Sequence, residues 1–470
     1  LLNNANKLPL VITATCDFAP FDDPTKQSLG NELLLKNNNG AIALITTTRT
    51  VFAYSNRIMN EGLLKALLSK TNANSQYLTL GQALLQAKNE LYGQFSDVYN
   101  NRKFTLLGDP GIRLAFPQNE LKIDSVVEVI SSQKTKLFNP QKQYVVHGTV
   151  INADGNKLTN FNGLLEAQIW PFTTTQSTLG NSPESPIKQF AIYQQTLFNG
   201  KATINNGQFH FNFFTPADLQ GNLTKGRVSL YATNSIDSTD AGGADTTFLF
   251  GGTANNNNID NSPPQIDLYI NHFGFVSGGI ANNEPILLAR IKDDFGLNTL
   301  GTTNEKPMMV WVDDKKENFY IVNNYYTTNI NDFNSGVLQF QLPPLSEGMH
   351  SVTLKVWDAN NNPAEKTIFF QVKAGGSVAI FNAKSFPNPV VQLAKFEFEH
   401  NQPMGIPMKI SLLIYDFAGR MIKKSAEDIT VKSSVISNLI WDGTGMNNEK
   451  IPSGVYIYRI IVQTKNGSAE

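Results

Sequence analysis

The chain runs in two hydrophobic rhythms, and the change from one to the other falls near residue 118. Before it, short β-branched runs alternate with stretches whose apolar residues recur at helical spacing. Pro9-Leu-Val-Ile-Thr-Ala-Thr-Cys16 carries an apolar run from Leu10 to Ala14, bounded by Pro9 and by the Asp17-Phe-Ala-Pro20 turn. Such a run predicts a strand buried on both faces, as in a parallel sheet covered by helices. Gly30-Asn-Glu-Leu-Leu-Leu-Lys36 predicts a short helix, and Gly40-Ala-Ile-Ala-Leu-Ile-Thr-Thr-Thr48 a second strand. Leu63, Leu64, Leu67 and Leu68 give residues 60–69 a helical stripe; Leu84, Leu85, Ala87 and Leu91 do the same for 80–91. Phe104-Thr-Leu-Leu-Gly-Asp-Pro-Gly-Ile-Arg-Leu114 reads as a turn into a last strand. Strands and helices in alternation imply a mainly parallel α/β sheet.

Beyond residue 118 the period falls to two and long helical stripes vanish. Lys142-Gln-Tyr-Val-Val-His-Gly-Thr-Val150, Gly207-Gln-Phe-His-Phe-Asn-Phe-Phe214 and Gly226-Arg-Val-Ser-Leu-Tyr-Ala232 alternate as half-buried strands. A polar linker, Ala254-Asn-Asn-Asn-Asn-Ile-Asp-Asn-Ser-Pro-Pro264, marks a boundary. A second β block follows, with strands at 265–270, 285–292, 337–342, 350–357 and 366–372. After Gly375-Gly376 comes a third, with strands at 408–416 and 454–462. The expected fold is multidomain, α/β plus all-β. A truncated α/β domain at 1–117 precedes three antiparallel β-sandwiches at 118–255, 262–374 and 378–470. Truncation is expected because the first strand has nothing before it to pair with, and parallel strands need neighbours reached by crossovers. On that reading half of the first domain lies upstream.

Composition narrows the function classes. The 38 basic and 39 acidic residues nearly cancel, which argues against a nucleic-acid partner. One cysteine in 470 residues excludes an intrachain disulfide. No uninterrupted apolar stretch reaches the ~18 residues of a membrane-spanning helix.

That lone cysteine, Cys16, stands just past the carboxyl end of a predicted strand, where open α/β sheets bind ligands. The ordinary alternative is a buried structural thiol. A cysteine nucleophile needs a base, usually His. His147, His210, His272, His350 and His400 all fall in the β region, so either Cys16 is not catalytic or its base lies upstream. Asp22 and Asp23 beside it are candidates for binding a basic substrate residue, or else capping residues of a turn; Arg49 follows a strand end and faces the site or a loop partner. Asp109 is read as a turn former. Asp358 with Asn360, Asn361 and Asn362 has calcium-like spacing but lacks a downstream bidentate carboxylate, so a hairpin turn is expected and no metal. No cofactor is expected.

Residues 9–21 resemble the nucleophile strand of the gingipain-like cysteine peptidases, whose fold is similar to that of caspases. Further resemblances follow in order: Gly30-Asn-Glu-Leu-Leu-Leu, Gly40-Ala-Ile-Ala-Leu-Ile-Thr-Thr-Thr-Arg49, Leu80-Gly-Gln-Ala-Leu and Leu106-Leu-Gly-Asp-Pro-Gly-Ile-Arg-Leu114. They cover nearly all of 8–115. The resemblance implies that Cys16 is the nucleophile, that its own N–H holds the oxyanion, and that the catalytic His lies upstream, outside this chain.

Within the family, Cys16-Asp-Phe-Ala-Pro-Phe-Asp22-Asp23-Pro24 and Thr46-Thr-Thr-Arg49-Thr-Val-Phe52 resemble the sortases of the type IX secretion system. Ser262-Pro-Pro-Gln-Ile-Asp-Leu-Tyr-Ile-Asn271, Asn323-Asn-Tyr-Tyr326 and Leu354-Lys-Val-Trp357-Asp358 resemble the sandwiches that follow such a peptidase unit. Phe386-Pro-Asn-Pro389, Tyr415-Asp-Phe-Ala-Gly-Arg420, Trp441-Asp-Gly443 and Pro452-Ser-Gly-Val-Tyr-Ile-Tyr458 are similar to the type IX C-terminal domain. The resemblance implies a cell-surface enzyme that removes C-terminal sorting domains from exported cargo and joins the new end to anionic lipopolysaccharide. It also implies retention at the outer membrane by a β-barrel partner, PorV, through the final sandwich. Two alternatives stand beside it: a secreted peptidase that is itself type IX cargo, and a non-catalytic surface scaffold.

Overall fold

The computed structural model describes residues 4, 7–37, 39–70, 76–254, 260–301, 306–372, 378–390, 392–400, 402, 405–431, 435–465 and 467–470. Residues 255–259 of the expected linker and the Gly375-Gly376 boundary lie outside the described residues. The chain divides into two compact units, 1–117 and 118–470.

In the first unit β1 (Leu10–Ile12), β2 (Ala43–Thr47) and β3 (Phe104–Leu107) form a sheet in that order. Around it stand α1 (Leu29–Leu35), α2 (Ala53–Leu68), α3 (Leu80–Phe95) and α4 (Val98–Lys103). β2 is buried throughout, and Ala43 and Ile45 share a core with Met59, Leu63, Leu67, Leu84, Ala87 and Leu91. Met59, Leu63 and Leu67 recur at i, i+4 and i+8, and Leu84, Ala87 and Leu91 at i, i+3 and i+7, each the period of one helix face. Leu64, Leu68 and Leu85, read from the sequence as part of the same stripe, lie one position round the helix and are exposed. α3 starts at a capping box: Thr79 Oγ1 accepts the Gln82 N–H, and Gln82 Oε1 accepts the Thr79 N–H.

Three expectations for this unit need correction. β1 ends at Ile12 and is only half-buried, because it pairs on one side alone and is the edge of the described sheet. The sheet is mixed: β1 runs parallel to β2, but β3 is antiparallel to it, since α4 leads straight back into the sheet without a crossover. The last strand precedes the Gly108-Asp-Pro-Gly111 turn instead of following it. Asp109 makes that turn, its Oδ1 accepting the Gly111 N–H at 2.7 Å.

Gly108 has φ +132°, and a Cβ there would stand 2.7 Å from the Ala43 Cβ on β2. Gly108→Ala is therefore expected to destabilise the first unit by roughly 2 kcal/mol, from disfavoured backbone and a steric clash together. Earlier exchange of the β2 amides would report it, and unchanged protection would mean that the turn relaxes freely.

The second unit is all-β. Its first block differs from the sandwich read in the sequence. Strands Phe198–Asn205, Gln208–Phe214, Gln143–Ile151, Asn119–Glu128, Asp240–Asp245, Arg227–Asn234 and Gly163–Trp170 close into a barrel in that order. Closure is made by a parallel contact of Ala241 and Gly242 with Asn119 and Glu120. Gly243 makes the approach possible: any Cβ there would lie 2.1 Å from the Leu121 carbonyl oxygen. A smaller sheet, Gly221–Lys225, Leu249–Gly252 and Leu137–Phe138, adds Phe138 and Phe250 to the barrel's core, and Phe248, just before Leu249–Gly252, joins them.

The next block packs a four-stranded sheet (Gln265–Ile270, Ile286–Lys292, Asp332–Gln341, Tyr326–Asn329) on a five-stranded one around a single core, as a sandwich does. The last block likewise sets three strands against four, with Phe396, Phe398, Ile410, Leu412 and Val462 between them.

Candidate active site around Cys16

The chain leaves β1 at Ile12 and is immediately fastened to the end of β2. The Thr13 N–H donates to the Ile45 carbonyl at 3.1 Å, and the Thr13 and Thr46 hydroxyls share a hydrogen bond of 2.5 Å. Thr47 does most of the positioning. Its hydroxyl donates to the Thr15 carbonyl at 2.7 Å and accepts the Asp17 N–H at 3.1 Å, while its carbonyl accepts the Ala19 N–H at 3.3 Å. Asp17 takes φ +53°, a left-handed conformation that Asp tolerates, and this reverses the chain directly after Cys16.

Held between two tethered residues, Cys16 is exposed. Its Sγ lies 3.4 Å from the Val51 N–H nitrogen and 3.4 Å from the Val51 carbonyl oxygen. Among the described residues the Cys16 N–H has no acceptor, so it is open to a ligand. The loop carrying Val51 is itself pinned. The Phe52 N–H donates to buried Asn100 at 3.1 Å, and Asn100 is held by Asp97, which also accepts the Ser55 hydroxyl at 2.6 Å. Burial acts to raise the Asp97 carboxyl, but the hydrogen bonds from Ser55 and Asn100 outweigh it and hold it below the usual range.

The charged candidates pair locally. Arg49 makes a two-pronged contact with Asp22, 2.8 Å to Oδ1 and 2.7 Å to Oδ2, and also donates to the Thr48 carbonyl. This hydrogen bonding, more than simple attraction, holds Asp22 below the usual carboxylate range. Asp23 is lowered chiefly by the Thr25 hydroxyl and N–H that it accepts, and Lys26 lies 3.8 Å away. The fork of Arg49 therefore ties the loop after Cys16 to the loop after β2.

No histidine lies in residues 1–117. The five in the second unit have partners or burial of their own. His147 and His210 face each other across neighbouring barrel strands. His272 meets Glu399, and His350 is held by Asp313 and the Ser346 carbonyl. His400 is buried.

The sequence reading placed Asp22 and Asp23 beside Cys16 and left Arg49 between the site and a loop partner; its partner is Asp22. It missed Thr47 and Val51, whose roles rest on tertiary contact; the Thr46-Thr-Thr48 run at a strand end was the available signal.

No sequence among the curated proteins matches the chain. Dimeric latent PorU from Porphyromonas gingivalis is similar in structure at 25% identity and a TM-score of 0.37, over 92% of this chain and 40% of that one. The chain thus spans well under half the length of that protein. A complex of the pro- and mature domains of RgpB from the same organism matches at 14% identity and a TM-score of 0.23, over 51% of this chain and 48% of that one. The FN1–FN3 domains of chicken CNTN1 match at 10% identity and a TM-score of 0.18, over 75% and 96%. The model of peptidase family C25 matches residues 1–115, nearly the whole unit that carries Cys16. That unit is similar to a segment of peptidase family C25, a family of cysteine peptidases.

Proposed function

We propose that this protein is a cell-surface cysteine peptidase and transpeptidase, the sortase of a type IX secretion system. The observation that carries it is an exposed Cys16, tethered on both sides at the end of β1, within a unit matching a cysteine peptidase family. Support for the sortase role comes from the type IX C-terminal-domain motifs of the last sandwich, including Phe386-Pro-Asn-Pro389 and Trp441-Asp-Gly443. No helix among the described residues is long and apolar enough to cross a membrane. In this reading the final sandwich docks on PorV at the outer membrane.

The chemistry is acyl transfer. A base outside these 470 residues takes the thiol proton, and Cys16 Sγ attacks the scissile carbonyl of a cargo chain. The unpaired Cys16 N–H donates to the oxyanion. Collapse breaks the C–N bond; the leaving amine takes the proton from the base and a thioester remains. A lipopolysaccharide amine, or water, then attacks the thioester and returns the thiolate. Substrate contact by Asp22, Asp23 or Arg49 requires one of their present pairings to open.

The test is to incubate the full-length protein with cargo that retains its C-terminal domain and an added amine, then analyse the products by mass spectrometry. Cleavage ahead of the domain with the amine joined to the new carboxyl end is expected. Cleavage with water as sole acceptor would reduce the reading to a plain peptidase, and an intact cargo would sink it.

A further inference from the structure

Three carboxylates from distant parts of the chain meet at one end of the second β block. Asp260 precedes strand Gln265–Ile270, Asp293 follows Ile286–Lys292, and Asp358 follows Gly348–Trp357. One oxygen from each lies within 4.8 Å of the others. Asp293 is 6% exposed and Asp358 is fully buried. Backbone and amide donors hold them in place: Phe295 N–H on Asp293, Ser262 N–H on Asp260, and Asn360 N–H, Asn362 N–H and Asn362 Nδ2 on Asp358. Among the described residues none of the three has a cationic partner; the nearby Lys306 pairs with Asp218.

Buried like charges without a counter-ion are strongly unfavourable. Burial first, and then the charges of Asp358, Asp260 and Asp294, push the Asp293 carboxyl up to about 7. Among the described residues, two of the buried polar atoms that lack partners bear on the cluster. Asp260 Oδ2 is one, an oxygen of the cluster itself. The other is the hydroxyl of Tyr326, a side chain 2% exposed. It lies over Gly336, where a Cβ would stand 2.5 Å from it, and Gly336 pairs with Ile291, two residues before Asp293. The hydroxyl therefore points along the sheet toward the Asp293 end. Among the described residues nothing receives it.

We propose that Asp260, Asp293 and Asp358 bind a divalent cation, calcium in preference to magnesium, which joins the segment before Gln265–Ile270 to two strand ends. An all-oxygen set drawn from three separate loops suits the flexible coordination of calcium; magnesium demands near-octahedral geometry and keeps its waters. The Tyr326 hydroxyl is placed to hold a water of the bound ion. Asp260 and Asp293 supply the carboxylates that the local Asp358–Asn362 sequence lacks.

The ion would also stiffen the joint between the first two all-β blocks. The turn that Asp358 organises holds the barrel block through three contacts: the Ala359 carbonyl accepts the Ala217 N–H, Asn360 accepts from Gln141, and Asn361 donates to Asp218.

The test uses the full-length protein stripped with EDTA, titrated with calcium chloride by calorimetry and with terbium by luminescence sensitised from Trp357. One calcium per chain at this site is expected, raising the thermal midpoint by about 5 °C at a hundredfold excess over Kd. Magnesium should give a much smaller rise. Asp293→Asn and Asp260→Asn should each weaken calcium binding about tenfold or more, since affinity follows ligand charge. Asp260 lies outside the core, so Asp260→Asn decides the matter if Asp293→Asn misfolds. The absence of both heat and a midpoint shift at millimolar calcium would overturn the proposal, as would binding that both variants leave unchanged.

Discussion

Cys16→Ala in the full-length protein is expected to lower kcat/KM for cargo cleavage by about 10⁴-fold or more while leaving the fold intact. The two halves of that expectation rest on different contacts. Catalysis depends on the sulfur, because without it no thioester forms and both the cleavage and the joining step are lost. Stability does not, because the thiol is exposed and its hydrogen bonds among the described residues are to the Val51 backbone. The substitution should therefore move the unfolding free energy by no more than about 0.5 kcal/mol. Cys16→Ser should fare little better than Ala, since a hydroxyl is far harder to ionise than a thiol. The measurement is cargo processing by each variant beside its thermal melting curve. Retained cleavage with an unaltered melt would remove Cys16 from the mechanism, and the sortase reading with it.

Thr47 offers a sharper contrast between what the residues reveal and what only the fold reveals. The place of Cys16 just past a strand was legible, because an apolar β-branched run ending in a turn predicts one. The helices were legible from Leu63, Leu67, Leu84 and Leu91, which recur at the helical period and are buried. Periodicity did not show how wide the buried stripe is, so Leu64, Leu68 and Leu85 were assigned to it although they face outward. Strand direction was illegible as well: Phe104–Leu107 is as apolar as a parallel strand, and only the short path from α4 makes it antiparallel. Barrel closure was hidden for a related reason. Alternation tells which face of a strand is buried, not whether the two edges of its sheet meet, and here that depends on Gly243 passing the Leu121 carbonyl. The Asp260–Asp293–Asp358 cluster and the Thr47 tether share that character. Each is made by residues far apart in sequence, with no local spacing to announce them.

The largest loss of stability expected from one substitution in the barrel block is Phe138→Ala, about 4 kcal/mol. Phe138 is fully buried in a strand of only two residues, Leu137–Phe138, so its backbone pairing contributes little and its ring must hold the segment in place. The ring stands at the centre of an aromatic cluster. It stacks on Phe250 at 4.7 Å between centroids, meets Tyr144 edge-on at 4.9 Å, and lies 5.3 Å from Phe248 and 5.4 Å from Phe213. Tyr144 couples this packing to the backbone: its hydroxyl oxygen accepts the Asn139 N–H at 2.8 Å, one residue past Phe138. Burial pushes the Tyr144 hydroxyl up to about 12, so it stays neutral and keeps that bond throughout the physiological range. Removing the Phe138 ring opens a cavity walled by four other rings, two of which, Tyr144 and Phe213, are fixed on barrel strands, so collapse around it is restricted. A site that cannot collapse loses both transfer energy and packing. Phe138→Leu keeps most of the apolar volume and should cost about half as much or less. Urea unfolding of the full chain, followed through the barrel's own transition, measures both. A Phe138→Ala loss below about 1.5 kcal/mol, with the urea dependence unchanged, would mean that the small sheet closes over the gap and that the aromatic cluster does not hold it to the barrel.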